Sequence, residues 1–529
     1  DGIPMFVEAN SLNPLLCYSP TDIESIDILK DAAATAIYGS RGANGVIMIR
    51  TKVGKKNEKP QISFGYSYSI ARPIKKYKVL NNSQFRTLYS EMINNSIDAY
   101  NKGYVWDYSQ LEYFANISTL GDVNPYTGGE SIKFEGLKSD AFGNENIDWQ
   151  DEIERTNAGT HQYNVAVRGG SNNTIYSVSF HGSNKEGIYK NDNLNTYGGR
   201  LSLETDLTKG IKIGTNASYS ESKRNFSLSD EFYWYTQPFV VRPDLPIKNS
   251  AGDYNKIDEI GMMGGNGLYS PNPVAMLNMK NSHESSQLLA NAYAEFSIYK
   301  GLKFRADYGH TNYKYESSYF RPIITQQDQS ILGESPISTL TLWNGIYKTS
   351  TANFQVDYKF DTGKHNINAL LGYGTERTRN VLTTLTYEGF PNDEVLNNVA
   401  SAKWSSGQNQ ILQKHGLNSW FTRLNYGYFN KYFAEFSFRA DASSKFGPNN
   451  QWGYFPAFSA AWVASQENFF KHFRWLDNLK FRASIGQTGS TNIDDFSYRQ
   501  YYSSKGQYIG NSSIVLNDML PNKGIKWEK

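Results

Sequence analysis

Apolar and polar residues alternate in segments of about ten residues along most of this chain. From Gln61 to Ile70, one face carries Ile62, Phe64, Tyr66, Tyr68 and Ile70, and the other carries Gln61, Ser63, Gly65, Ser67 and Ser69. A period of two is that of a strand, and about ten residues is the length that crosses a bilayer as a tilted strand. From Tyr197 to Leu207, Leu201, Leu203, Thr205 and Leu207 oppose Arg200, Ser202, Glu204 and Asp206. The chain then turns through Lys209 and Gly210 into Ile211, Ile213, Thr215, Ala217 and Tyr219. That pattern predicts a hairpin.

Three more hairpins follow with new side chains. Ala294, Phe296 and Ile298 turn at Lys300 and Gly301 into Leu302, Phe304, Ala306 and Tyr308. Phe354, Val356, Tyr358 and Phe360 turn through Asp361 to Lys364 into Ile367, Ala369, Leu371 and Tyr373. Trp420, Thr422, Leu424, Tyr426 and Tyr428 turn at Asn430 and Lys431 into Tyr432, Ala434, Phe436 and Phe438, facing Glu435, Ser437 and Arg439. Charges keep to one face. Period two alone fits a soluble sandwich as well as a barrel turned inside out for lipid. Length separates them, because sandwich strands run about five or six residues. Tyr66, Tyr68, Tyr219, Tyr308, Tyr426, Tyr428 and Tyr432 sit near strand ends, where an interfacial aromatic girdle lies. An antiparallel transmembrane β-barrel of lipid-facing apolar faces is therefore expected, with Phe436 and Phe438 outward and Glu435, Ser437 and Arg439 in the lumen.

Short turns alternate with long connections. The turns belong on the periplasmic side and the long connections outside, where function is expected to sit. The long ones run from Arg224 to Ser286, Lys314 to Thr349, Arg377 to Asn418, Gly486 to the end, and Ala71 to Gly159. The last contains Phe85, Leu88, Tyr89, Met92, Ile93 and Ile97 at helical spacing, which predicts an amphipathic helix packed on barrel or plug.

Composition supports the barrel. The 529 residues include 38 Tyr and 44 Gly, aromatics make up 15%, and no run of eighteen apolar residues exists. Lys and Arg total 53 against 51 Asp and Glu, so no polyanion is attracted and nucleic acid is not indicated. Cys17 is the single cysteine, the seven His never fall three or four apart, and no GxSxG frames a nucleophile. No enzyme, metal site or cofactor is expected.

One segment breaks the alternation. Pro20 to Thr51 reads PTDIESIDILKDAAATAIYGSRGANGVIMIRT. Ile26, Ile28 and Leu29 supply a strand, Ala32 to Ile37 a helix ending at Tyr38, and Gly39, Gly42 and Gly45 the permissive backbone for a reversal into Val46 to Ile49. The glycines have no GxGxxG or Walker spacing, which argues against a phosphate loop. The wording resembles the plug domain of TonB-dependent outer-membrane transporters, in the variant of the SusC/RagA family. Ile26, Leu29, Lys30, Asp31, Ala36, Tyr38, Gly39, Arg41, Gly42, Asn44, Gly45 and Val46 carry that signature. DGIPM at Asp1 to Met5, the run Asn144 to Asp192, Phe438 to Phe470, Leu479 to Ser490, and IKWEK at Ile525 to Lys529 extend the resemblance along the chain.

The resemblance implies an all-β barrel with the C-terminal half of a small α+β plug in its lumen: residues 1–54 plug, residues 55–529 barrel. Roughly 14 strand segments are counted against about 22 in plugged transporters, so an internal fragment lacking both ends is expected. It further implies TonB-dependent import across the outer membrane of a Gram-negative bacterium, without catalysis. A SusD-like lipoprotein lid, TonB and outer-membrane lipid are the implied partners, and the cargo an oligosaccharide or a peptide. A siderophore or cobalamin receptor, and a structural or adhesive barrel, are the alternatives. For cargo contact, Phe232, Tyr233, Trp234 and Tyr235 beside Gln237 form a candidate aromatic platform in a long loop, with Trp343 and Trp404 as weaker candidates.

Overall fold

The structure, a computed structural model, describes residues 2, 5, 18–31, 35–42, 44–104, 115–126, 128–138, 142–226, 237–255, 272–277, 279–323, 337–392, 397–470, 477–500, 502–508, 511–516 and 521–528. The first strands, β1 (Ile23–Leu29) and β2 (Val46–Thr51), pair antiparallel with each other, Ile26 opposite Ile49 and Ile28 opposite Ile47. β3 (Glu58–Ala71) starts the wall. A helix, α1 (Asn82–Asn101), and a separate hairpin, β4 (Ala115–Val123) with β5 (Glu130–Leu137), follow before the wall resumes.

The wall then runs as a meander: β6 (Ala158–Gly170), β7 (Thr174–Glu186), β8 (Asn193–Thr208), β9 (Ile211–Phe226), β10 (Lys280–Tyr299), β11 (Leu302–Arg321), β12 (Thr339–Asp361), β13 (His365–Glu388), β14 (Trp404–Tyr428), β15 (Tyr432–Ser443), β16 (Trp452–Val463) and β17 (Lys480–Gly486). With β3 beside β6, these thirteen strands form one antiparallel sheet in which the others pair with their sequence neighbours. Sequence counting had suggested roughly fourteen. A further pair, β18 (Tyr502–Tyr508) with β19 (Asn511–Leu516), stands apart.

The register matches the expected faces. Leu424 pairs with Phe436, and Phe436 with Phe458, giving an apolar outward column. Phe436 is 45% exposed, whereas Ser437 and Arg439, one face over, are each 4%. Turns at one end are tight, and at the β14 to β15 turn Phe429 and Asn430 both take positive φ, the backbone that matches strand twist in a two-residue hairpin.

Three expectations need correction. The long connections are shorter than the sequence suggested, because β10 to β14 continue for 20 to 25 residues, about twice what a membrane crossing needs. Lys314, Thr349, Arg377 and Asn418, placed in loops from sequence, are strand residues. Strand pairing needs only backbone groups, so it persists where the outward face no longer meets lipid. Second, the helix after β1 does not stop at Tyr38. Tight helical turns cover Ala36–Gly42, broken at Gly39, whose φ of 59° and ψ of −135° are non-helical. Third, among the described residues the apolar core of α1 is built against neither the wall strands nor the plug. Its buried Phe85, Ile93, Ile97 and Tyr100 meet Ala115, Ile132 and Phe142 of its own connection, so α1 and the β4–β5 hairpin share a small core. Asn81 and Gln84 close a reciprocal capping box at its start.

Candidate functional site

The site is the meeting of the β1–β2 unit with the polar face of the wall. Ser19 and Asp22 open it. The Ser19 hydroxyl accepts from the Thr21 N–H at 3.3 Å, and the Lys52 N–H donates to the Asp22 carbonyl at 2.8 Å, which ties the two ends of the unit together. The Asp22 carboxylate, 3% exposed, accepts from Arg168 of β6 at 2.7 Å and from Ser179 of β7 at 2.5 Å. Arg200 of β8 donates to the Lys52 carbonyl at 3.3 Å.

The other end of the unit reaches the far side of the sheet. Arg41 pairs with Glu376 of β13 at 2.7 Å. Gly39 rests on Arg439 and Asp441 of β15, so closely that a Cβ there would lie 2.2 Å from Asp441 Oδ2 and 2.3 Å from Arg439 Nε. Glycine is needed at this position twice over, for the positive φ and for the close approach. Arg439 is itself held by Asp441 and Ser419, each at 2.7 Å.

These contacts fix the shape of the wall. β6 and β15 are nine neighbours apart in the sheet order, roughly 43 Å along a sheet with strands about 4.8 Å apart. Asp22 and Gly39 bracket β1, whose seven residues span roughly 23 Å. One unit touches both, so the sheet curls around it and the polar face is the lumen.

The signature residues lie as follows. Ile26, Leu29 and Val46 are in the two strands, and Lys30, Asp31 and Asn44 are exposed. Ala36 falls in the helical turns, Tyr38 donates its hydroxyl to Met48 Sδ at 3.0 Å, and Arg41 and Gly39 reach the wall. Gly42 abuts the Thr35 carbonyl, 2.7 Å from where a Cβ would sit, and Gly45 takes φ of 95° before β2. Of the wall residues that receive the plug, Arg200 and Arg439 were expected on the polar face but not as plug contacts, and Arg168, Glu376 and Asp441 were not singled out from sequence. Their signal is a charge on the polar face of a membrane-length strand.

Phe232, Tyr233, Trp234 and Tyr235 lie outside the described residues, and Gln237 opens a short helix, α2 (Gln237–Val240). Trp404 sits at the outer end of β14 and donates its indole N–H to Glu388 at 3.0 Å. Trp343 lies on the luminal face of β12, edge-on to Tyr319. A hollow of about 560 Å³ lined by Ala292, Ala294, Ala306, Tyr308 and Phe354 opens mainly among outward-facing residues.

An antiparallel wall curled around a small α+β unit held by its polar face defines the class of plugged outer-membrane β-barrels. The chain is 28% identical over 521 residues to the TonB-dependent receptor P3 of Formosa agariphila, covering 96% of this chain and 46% of that protein. It is also 28% identical over 547 residues to the TonB-dependent receptor SusC of Bacteroides thetaiotaomicron, covering 98% and 49%. The RagAB peptide importer in its closed-closed state shares the fold, with a TM-score of 0.73 and 23% identity over 98% of this chain and 57% of that one. No family model matches the chain. It fits the SusC/RagA family of TonB-dependent outer-membrane receptors, and it spans about half the length of the curated relatives it matches.

Proposed function

We propose that this chain forms the plug-and-wall portion, residues 1–54 and 55–529, of an importer that carries an oligosaccharide across the outer membrane. TonB drives the movement and a SusD-like lipoprotein closes over the outer loops. The observation that carries this reading is the character of the plug contacts. Asp22 with Arg168 and Ser179, and Arg41 with Glu376, are ionic or hydrogen-bonded. Among the described residues no buried apolar cluster joins the unit to the wall. A polar interface in a wet lumen can exchange its partners for water, each pair being worth about 1 to 3 kcal/mol or less, so a mechanical pull can shift the plug without unfolding a core.

The test is twofold. A strain lacking the intact receptor should lose growth on one glycan and keep growth on its monosaccharide. Affinity purification from outer membranes in mild detergent should return a lipoprotein with the barrel. Loss of growth on peptides alone would replace the sugar cargo, and loss of iron or cobalamin uptake with no lipoprotein recovered would replace the reading with that of a lidless receptor.

A further inference from the structure

Beyond the apolar band, the outward face of three neighbouring strands carries cations in line. Lys348 of β12 pairs with Arg379 of β13, and Arg379 with Lys414 of β14. Arg377, two residues nearer the membrane on β13, stands between Ser350 and Gly416. The register of β12 against β13 runs without a bulge, so Lys348 keeps the parity of the lipid-facing Phe354, Val356 and Phe360. The row therefore points away from the lumen, and all four charged side chains are exposed.

Such a row is unfavourable on its own, because like charges directly opposite each other across strands repel. Among the described residues none of the four takes part in an ion pair. No acid occupies an outward position of β12, or of the residues of β13 and β14 in register with it. The outward face of β9 and β10 is arranged otherwise. There Lys223 stands opposite Glu284 and bonds it at 2.5 Å. On β12 to β14 the relief has to come from an anion outside the chain.

Height selects the anion. Phe360, at the tight turn, and Lys348 are twelve residues apart on β12, which is about 40 Å along the strand and about 30 Å along the membrane normal at a tilt of about 40°. The apolar band of such a barrel is about 25 Å tall. Lys348, Arg379 and Lys414 thus stand at its outer margin, with Arg377 at the edge itself, and that margin is the level of the outer-leaflet headgroups. Side chains opposite each other start about 5 Å apart, close enough for neighbours to share one phosphate, and a guanidinium matches two phosphate oxygens at once. Acyl chains lying on the band below, along the row Phe354, Tyr373 and Trp420, would hold a lipid phosphate at this height, whereas a dissolved anion gains nothing from it.

We propose that Lys348, Arg377, Arg379 and Lys414 form an outward-facing site for the phosphate groups of an outer-leaflet lipid headgroup. The site is independent of the cargo. The test uses the intact receptor, delipidated in detergent, and native mass spectrometry with three probes: diphosphoryl lipid A, the same lipid with both phosphates removed, and inorganic phosphate. Wild type should retain diphosphoryl lipid A, bind the stripped lipid about tenfold more weakly or worse, and hold no inorganic phosphate at the same concentration. A Lys or Arg at an anionic lipid surface contributes about fivefold to binding. Arg379→Gln should therefore weaken lipid A by about fivefold, and Lys348→Gln, Arg379→Gln and Lys414→Gln together by about a hundredfold. Lys223→Gln on β9, where the cation already has its acid, should leave binding within about twofold. Unheated migration on a gel reports the fold of each variant, and Arg379→Gln keeps the test open should the triple variant fail to fold. Lipid A held equally by wild type and the variants, or not held by wild type at all, overturns the site. So does equal binding of the stripped lipid, or inorganic phosphate bound as tightly as the lipid.

Discussion

The two halves of β12 and β13 are built from one continuous ladder and yet present opposite surfaces. Near the turn, Phe354, Val356, Tyr358 and Phe360 pair with Tyr373, Leu371, Ala369 and Ile367 into an apolar outward band. Beyond it, the outward positions become Lys348, Ser350, Arg377 and Arg379, and the large aromatics Trp343 and Tyr347 turn to the lumen. The backbone hydrogen bonds are the same throughout. What differs is the surroundings met by each face: hydrocarbon outside and the plug inside for the lower half, water outside and the lumen inside for the upper half. Pairing alone therefore does not delimit the membrane. Side-chain polarity on the outward parity does.

The largest expected effect attacks the lower band. An Arg at Phe436 or Val356 should cost about 2 to 4 kcal/mol, and an Arg at Ile346, outward but in the upper half, about 1 kcal/mol or less. Urea titration of barrels refolded into vesicles measures both, and equal costs would erase the distinction between the halves. Next is the luminal side of the lower half. Gly39→Ala should lose about 1 to 3 kcal/mol of plug docking through its strained φ and its collision with Arg439 and Asp441. Limited proteolysis of the Pro20 to Thr51 segment should report this while the wall stays resistant. Arg41→Ala should be milder, about 1 kcal/mol, since Arg41 is partly exposed and Glu376 keeps some access to water.

These contrasts also show what the sequence made legible. Period two marked the lower band because lipid demands apolar residues at every outward position, and the faces of β15 around Phe436 are as that pattern required. The glycines of the plug stood out because Gly39 and Gly45 occupy backbone that other residues avoid. The upper strands were hidden, since with water outside and the lumen inside neither face is forced to be apolar, and Lys314 or Arg377 in a strand looks like a loop. Glu376, and the contact of the luminal Arg439 with the plug, were hidden for another reason. Their partners lie hundreds of residues away in the chain, and only folding brings Arg41 and Gly39 to them.

The smallest expected effect concerns the outer surface. Asp495, in the connection after β17, is partly buried, which alone would raise its pKa. The hydrogen bond from His415 at the outer part of β14, with the charges of His415 and Lys445, outweighs that and holds the carboxyl below the usual carboxylate range. A lowered folded pKa gives stability that is present above the ordinary carboxylate value, near 4, and is lost as pH falls through the folded one. Protection of the amides of residues 487–500 against hydrogen exchange, taken relative to the intrinsic rate at each pH, should therefore be unchanged from pH 7 to 5 and fall only below about pH 4. Loosening already at pH 6 would show that the ion pair does not hold this connection.

The most direct measurement of the two-surface account uses single spin labels. Cys17 is the only cysteine among these 529 residues, so Cys17→Ser, with any cysteine elsewhere in the intact receptor also replaced, gives a background that accepts a new cysteine at Val356, Phe436, Tyr315 or Tyr347. In the intact receptor reconstituted in bilayers, labels at Val356 and Phe436 should be relaxed by oxygen dissolved in lipid and shielded from a water-soluble nickel chelate. Labels at Tyr315 and Tyr347 should respond to the chelate and little to oxygen. Nickel relaxation at Val356 together with oxygen relaxation at Tyr347 would mean that the faces are reversed, and the assignment of lipid and lumen would fall.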